Sequence, residues 1–296
     1  MKDWWLIIPV GIYLLVVIGA LVVSRKLRPT RWPFKDEERL LRGPGESLRK
    51  EIARIDDSLL TEMAIGTAVA LLAIPCAASL TKALGLAAPY ILATATLSFL
   101  GVTIFSAWRI VALLRKCQNY HLGWFGERLV AEKLGALRFS GWRVFHDVPF
   151  VRNGKPFNID HVVVGEGGLF AIETKTRRMG GGRNGETDYE VSFDGKALHW
   201  PRQKNDESGL NQAERNAVTL TKWIEDEIGQ TVPASPILAI PAWSIKYTGP
   251  VGRRPCKVDS PNWILNTFKN RKPCIPPQTV ELIVRRLLAK CRDLED

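Results

Sequence analysis

Three side chains in the segment FNIDHVVVGEGGLFAIETKT (157–176) have types and spacing suited to chemistry: Asp160, Glu173 and Lys175. Two β-rich arms flank Gly165-Glu166-Gly167-Gly168, a pattern that predicts an antiparallel hairpin. A four-residue loop pairs Val164 with Leu169, and that register sets Asp160 opposite Glu173 and Asn158 opposite Lys175. Directly opposed residues share a face, with Cβ atoms about 5 Å apart. Lys175, two positions past Glu173, returns to the same face. A slip of one residue would send one carboxylate through to the other side.

Two carboxylates that close repel unless something positive lies between them. A hard divalent cation such as Mg²⁺ suits the position, because it takes oxygen ligands and keeps waters for a substrate phosphate. An adjacent ammonium can orient or help deprotonate water, or stabilise charge developing on phosphorus. That is equipment for phosphodiester hydrolysis. The plain alternative is a solvated, salt-bridged face of an ordinary sheet. Against it, Phe170, Ile172, Val162 and Val164 make the arms apolar enough for burial on both faces, where charges need a reason.

The elements that must position these groups are those of a mixed α/β domain. GERLVAEKLGAL (126–137) has helical spacing with a glycine at its start, and WRVFHDVPF (142–150) reads as a strand. The hairpin follows. A second hairpin is expected at 189–200 around Asp194-Gly195. A helix at 210–228 carries Ala213, Ala217, Leu220 and Trp223 along one side, a buried strand follows at 235–243, and a terminal helix at 278–291.

On these residues the chain resembles a known group. Asp160 followed by Glu173-Thr174-Lys175, an E-x-K on the next strand, is similar to the PD-(D/E)xK restriction-endonuclease-like superfamily. More narrowly, GERLVAEKL, NIDHVVV, IETK and the glutamine in Leu210-Asn211-Gln212 resemble the nuclease-related domain, NERD, over residues 123–243. The resemblance implies an α/β fold with a restriction-endonuclease-like αβββαβ core and a central mixed sheet. It implies a metal site of Asp160, Glu173 and Glu127 for Mg²⁺ or Mn²⁺, Lys175 as the catalytic lysine, and Gln212 as an accessory polar residue. The partner it implies is nucleic acid, DNA ahead of RNA. The proline of the superfamily's namesake dipeptide is missing, since Ile159 precedes Asp160.

Other residues keep two readings. Glu127 is equally explained as a first-turn acid favoured by a helix dipole. Alternation points His161 away from Asp160, as a core histidine. Arg177, Arg178 and Arg183, in a glycine-rich loop, could grip phosphates or be solvated. The glycines there lack the strand-to-helix setting and Lys-Ser/Thr ending of a triphosphate-binding loop.

A formal charge of +11 and a pI near 9.6 favour polyanionic partners, nucleic acid or anionic lipid. Five scattered cysteines without a CxxC pair argue against a disulfide framework or a structural zinc site. Residues 4–23 contain no charge over the length a bilayer needs, and two further apolar stretches, 63–80 and 86–114, read as a returning helical hairpin. Residues 1–117 are therefore expected to be a membrane anchor of three spans with a basic loop at 24–62. The nuclease-like domain is expected at 118–249 and a C-terminal extension at 250–296. Ten Lys or Arg between 24 and 54, with Arg109 near the end of the third span and Arg115 and Lys116 beyond it, place the domain on the cytoplasmic side and the N-terminus outside. Residues 34–62 alternatively form an amphipathic helix on the membrane surface or against the domain. Two other functions remain: a catalytically silent nucleic-acid or protein adaptor with the same fold, and a membrane protein with a regulatory soluble part.

Overall fold

A computed structural model describes residues 40–85, 87–178, 189–201, 205–250, 252 and 254–292. The expected first span at 4–23, together with Arg183 and its glycine-rich loop, lies outside them. The chain divides into two compact units, residues 1–36 with 51–119 and residues 37–50 with 120–296.

In the first unit the described chain is helical. Helix α1 spans Glu46–Ala83 and α2 spans Ala88–Gly135. Both are long and apolar enough to cross a membrane. Large apolar side chains lie exposed along them, among them Ile65, Val69, Ile74, Leu92, Leu97, Ile104 and Phe105. Water would not tolerate so continuous an apolar surface. Arg109, the one charge in its apolar stretch, pairs with Glu62 of α1.

The expected boundaries give way here. Residues 46–62, expected within a basic loop, are the opening turns of α1. The third expected span and the domain's first helix are one uninterrupted α2, since no proline separates them. Gly126 therefore starts nothing. It sits mid-helix because a Cβ would come within 2.1 Å of Thr176 Cγ2.

The second unit is built on a five-stranded mixed sheet in the order β1-β2-β3-β6-β8. Its strands are β1 (Arg143–Arg152), β2 (Lys155–Gly165), β3 (Gly168–Thr174), β6 (Ala234–Ala239) and β8 (Lys257–Asp259). The first three are antiparallel neighbours, while β3, β6 and β8 run parallel. Val164 pairs with Leu169 as expected, but pairing continues to Gly165 and Gly168, so the turn has two residues, Glu166-Gly167. A smaller sheet, β5-β4-β7, combines the expected hairpin, β4 (Glu190–Phe193) and β5 (Leu198–His199), with β7 (Ser244–Tyr247).

Alternation along the strands sends side chains into two cores. Val163, Phe170 and Ile172 pack under Val130 and Leu134 of α2 with Ile264 and Phe268. Val162, Val164, Leu169 and Ala171 face Ala217, Leu220 and Ile224 of α3 (Ser208–Ile228) and Ile283 and Leu287 of α4 (Pro277–Lys290). The element order α2, β1, β2, β3, α3, β6 is the expected αβββαβ core.

Residues 250–296, expected as a separate extension, belong to this unit. Arg254 pairs with Glu207 and Glu214 at α3, β8 extends the sheet, and α4 closes one core. The sequence signal was weak because β8 has only three residues and the stretch before α4 is rich in proline.

Leu287 is fully buried, so Leu287→Ala should destabilise the domain by about 2–5 kcal/mol. Urea denaturation of the detergent-solubilised chain followed by tryptophan fluorescence checks this. A midpoint unchanged from the parent would show that α4 does not belong to the core.

Candidate active site

The site begins with the register of the sheet. The ladder between β2 and β3 runs to His161 and Ile172, and Asp160 and Glu173 are the next residues of the two strands. Asp160 accepts the backbone N–H of Thr174 at 2.6 Å. Glu173 is 3% exposed and its Oε2 accepts the amide of Asn216 on α3 at 3.0 Å. Lys175 follows β3, its backbone N–H bonded to Ala239, and its stem lies beside Gly209 of α3. Its charge acts on both Asp160 and Glu173.

Glu127 enters from α2 with 7% exposure. Its Oε2 lies beside Gly45 and is buried without any hydrogen-bond partner. A further acid, Asp147, was not anticipated. It lies on β1 opposite Asp160 in the pairing that joins His146 to His161 and Val148 to Ile159, and it is 1% exposed. Its φ of 50° interrupts the ladder at that residue. Sequence showed only an aspartate in an apolar strand, a weak hint since such a residue also suits a strand end.

The four acids act on one another. Burial, and then the charge of Asp160, pushes Glu173 well above the usual carboxylate range, against Lys175, Arg215 and the Asn216 hydrogen bond. Asp160 is raised by burial first, against the Thr174 N–H, with Asp147 adding to the rise and Lys175 opposing it. Glu127 is raised by burial and then by Asp160, Asp147 and Glu173, while the Gly45 backbone opposes the rise. A cation beside them would relieve all three at once. Among the described residues no three His, Cys, Asp or Glu side chains form a ready metal cage. Carboxylate oxygens are the kind of donor a hard cation takes, with water completing its shell. Glu127 Oε2 is the atom with most to gain.

Other expected residues lie elsewhere. Gln212 is half-buried on α3, one turn before Asn216, and the hydrogen bond to Glu173 comes from Asn216. Arg177 is tied to Asp206 and stacks over Trp200 at 5.4 Å. Arg178 is exposed. His161 is fully buried on the opposite face, its Nδ1 2.9 Å from that of His146, as a core histidine should be. Burial lowers both imidazoles below the usual range.

Residues 122–241 match the family model described as NERD, nuclease-related domain. Neither a search of curated proteins nor one of solved structures finds a match.

The raised acids fix a pH dependence. They hold protons more readily folded than unfolded, so their contribution to stability is fully present below the ordinary carboxylate pKa near 4 and is lost as pH rises toward the elevated folded values. In chelator, the melting temperature of the parent should fall relative to Glu173→Gln as pH rises from about 5 to about 8. Differential scanning fluorimetry at several pH values measures this. A difference that stays constant would show that Glu173 titrates normally.

Proposed function

Because residues 122–241 form a nuclease-related domain, we propose that the chain is a membrane-anchored, metal-dependent nuclease that hydrolyses nucleic-acid phosphodiester bonds. The observation that supports this reading is that Glu127, Asp160 and Glu173 lie within reach of one another's charge, with Lys175 acting on the last two and Glu127 Oε2 unpartnered. Sheets do not gather buried charges of this kind for stability.

In this reading Asp160, Glu173 and Glu127 would hold Mg²⁺ or Mn²⁺, which when bound supplies charge neutralisation and a more acidic water. The remaining roles fall to side chains. Lys175 holds its ammonium beside Asp160 and Glu173, where it can orient a water or balance charge on a transferring phosphate. Asn216 fixes the Glu173 carboxylate through one oxygen and leaves the other available. Gln212, one turn away, is an accessory polar residue. Arg177, Arg178 and Arg183 supply positive charge after β3 for the phosphate backbone. The charge of +11 fits a polyanion, with DNA ahead of RNA. The apolar stretches of α1 and α2 serve as anchor, and the basic flanks place the domain in the cytoplasm.

One observation favours a second reading. Glu127 and Glu173 are almost wholly buried, which a silent adaptor with the same fold would tolerate and a working hydrolase must overcome by local movement.

The detergent-solubilised chain incubated with plasmid, single-stranded DNA and RNA, in Mg²⁺, Mn²⁺ or chelator, separates the two. Cleavage is expected with metal only, falling by about a hundredfold or more in Asp160→Ala and Lys175→Ala. Binding without cleavage, indifferent to both substitutions, would establish the adaptor. Separately, Glu173→Gln should weaken Mn²⁺ binding in calorimetry, and an unaltered titration would remove Glu173 from the metal set.

A further inference from the structure

Two of the four acids are approached from outside the matched family domain. Residues 40–47 form a short strap that runs into the first turn of α1, within the same compact unit as the sheet. Arg42 grips Asp147 Oδ2 through Nε at 2.8 Å and through its terminal amine. Ser47 adds its backbone N–H to Oδ2 at 3.0 Å and its hydroxyl to Oδ1 at 2.6 Å. Asn158 completes the set with its amide on Oδ1 at 3.1 Å. Gly45 lies against Glu127, whose Oε2 would be 3.5 Å from a Cβ placed there, and with φ of 68° it packs so closely on Trp124 that the same Cβ would lie 2.6 Å from its ring. The other end of the strap is also tied down. The N–H of Arg42 bonds to the Cys291 carbonyl at 2.9 Å, and Leu41 bridges Arg292. Cys291 is 1% exposed.

The chemistry of this arrangement is asymmetric. Asp147 has both oxygens saturated and a guanidinium as counter-ion, so it has no lone pairs to spare for a cation. Glu127 keeps a buried oxygen, Oε2, unpartnered. The strap thus sorts the four carboxylates into one anchor and three donors. An Arg beside a buried carboxylate also removes one negative charge from a cluster that repels itself.

We propose that the strap is a working part of the site: Arg42 and Ser47 are positioning residues that fix Asp147, and the docked strap in turn sets Glu127 for metal. The inference rests on the nuclease reading for its metal, and on the strap contacts alone for its geometry. Family-domain residues 122–241 by themselves then lack part of their own site.

The test uses the full chain in detergent, with Mn²⁺ as probe and two readouts. Maleimide labelling of Cys291, followed by peptide mass spectrometry, reports strap docking without reference to metal. Calorimetry reports Mn²⁺ affinity. Arg42→Gln should raise the Cys291 labelling rate at least about tenfold and weaken Mn²⁺ binding by about tenfold or more, the scale of supporting-residue losses at metal sites. The double variant Arg42→Gln with Asp147→Asn leaves no buried unpaired charge and keeps an amide pair, so both readouts should return toward the parent. Ser47→Ala, which strands no charge, should shift both in the direction of Arg42→Gln and covers the case in which that protein fails to fold. Unchanged labelling and affinity in Ser47→Ala and Arg42→Gln would overturn the proposal. So would tighter Mn²⁺ binding in either, which would make the strap a plug. Faster labelling of Arg42→Gln beside a parent that binds no Mn²⁺ would keep the strap as an organiser of Asp147 and defeat the metal reading instead.

Discussion

Four carboxylates in a space nearly closed to water are a liability, and much of the second unit answers it. Desolvation raises the pKa values of Glu127, Asp160 and Glu173, and neighbouring acids raise each of the three further. The surroundings supply what compensation there is: a backbone N–H for Asp160, an asparagine amide for Glu173 and a guanidinium for Asp147. Each donor comes from a different element, namely β3, α3 and the strap. The cluster therefore requires these pieces to be in place together. A fold selected for stability alone would have put apolar residues there.

What compensation remains missing is informative. Glu127 Oε2 is buried with no hydrogen bond, a state that costs about 1–3 kcal/mol or more for a polar atom and more if it is charged. Protonation lessens that cost, and so does a cation. The two answers compete for the same oxygens, which is why the pH response and metal binding belong to one equilibrium. Lys175 and Arg215 act on Glu173 from outside the acid set, so the local charge is more nearly balanced at that end than at Glu127.

Much of the centre was legible in the sequence because a strand hairpin obeys strict parity. Val164 faces Leu169 as expected, and shortening the turn from four residues to two leaves the register intact as far as His161 and Ile172. Helical spacing similarly located α3 and α4. Asp147 escaped because its importance lies in a contact across 105 residues, with Arg42, and in a backbone conformation that no local pattern announces. Asn216 escaped because the family pattern drew notice to Gln212, and one turn of helix decides which side chain meets the acid. The tail escaped because β8 and the turn before α4 are short and gain their order from the sheet they join.

The expected boundary between anchor and domain, at 117/118, lies beside the boundary between the two units at 119/120, yet no helix ends there. Apolar runs mark where lipid can sit, and a basic or polar run was taken to mark where a helix ends. A helix does not stop because its surroundings change. It stops where a proline, a glycine or a lost cap leaves its terminal groups unsatisfied. No proline occurs between the apolar part of α2 and Gly135, so the helix continues. At the other side, α1 begins where Asp147 accepts the first-turn N–H and hydroxyl of Ser47. A carboxylate from β1 thus serves as the cap for α1, a position where a negative charge is favoured. The start of the helix and the placement of a site acid are consequently one set of hydrogen bonds, and neither can shift without the other.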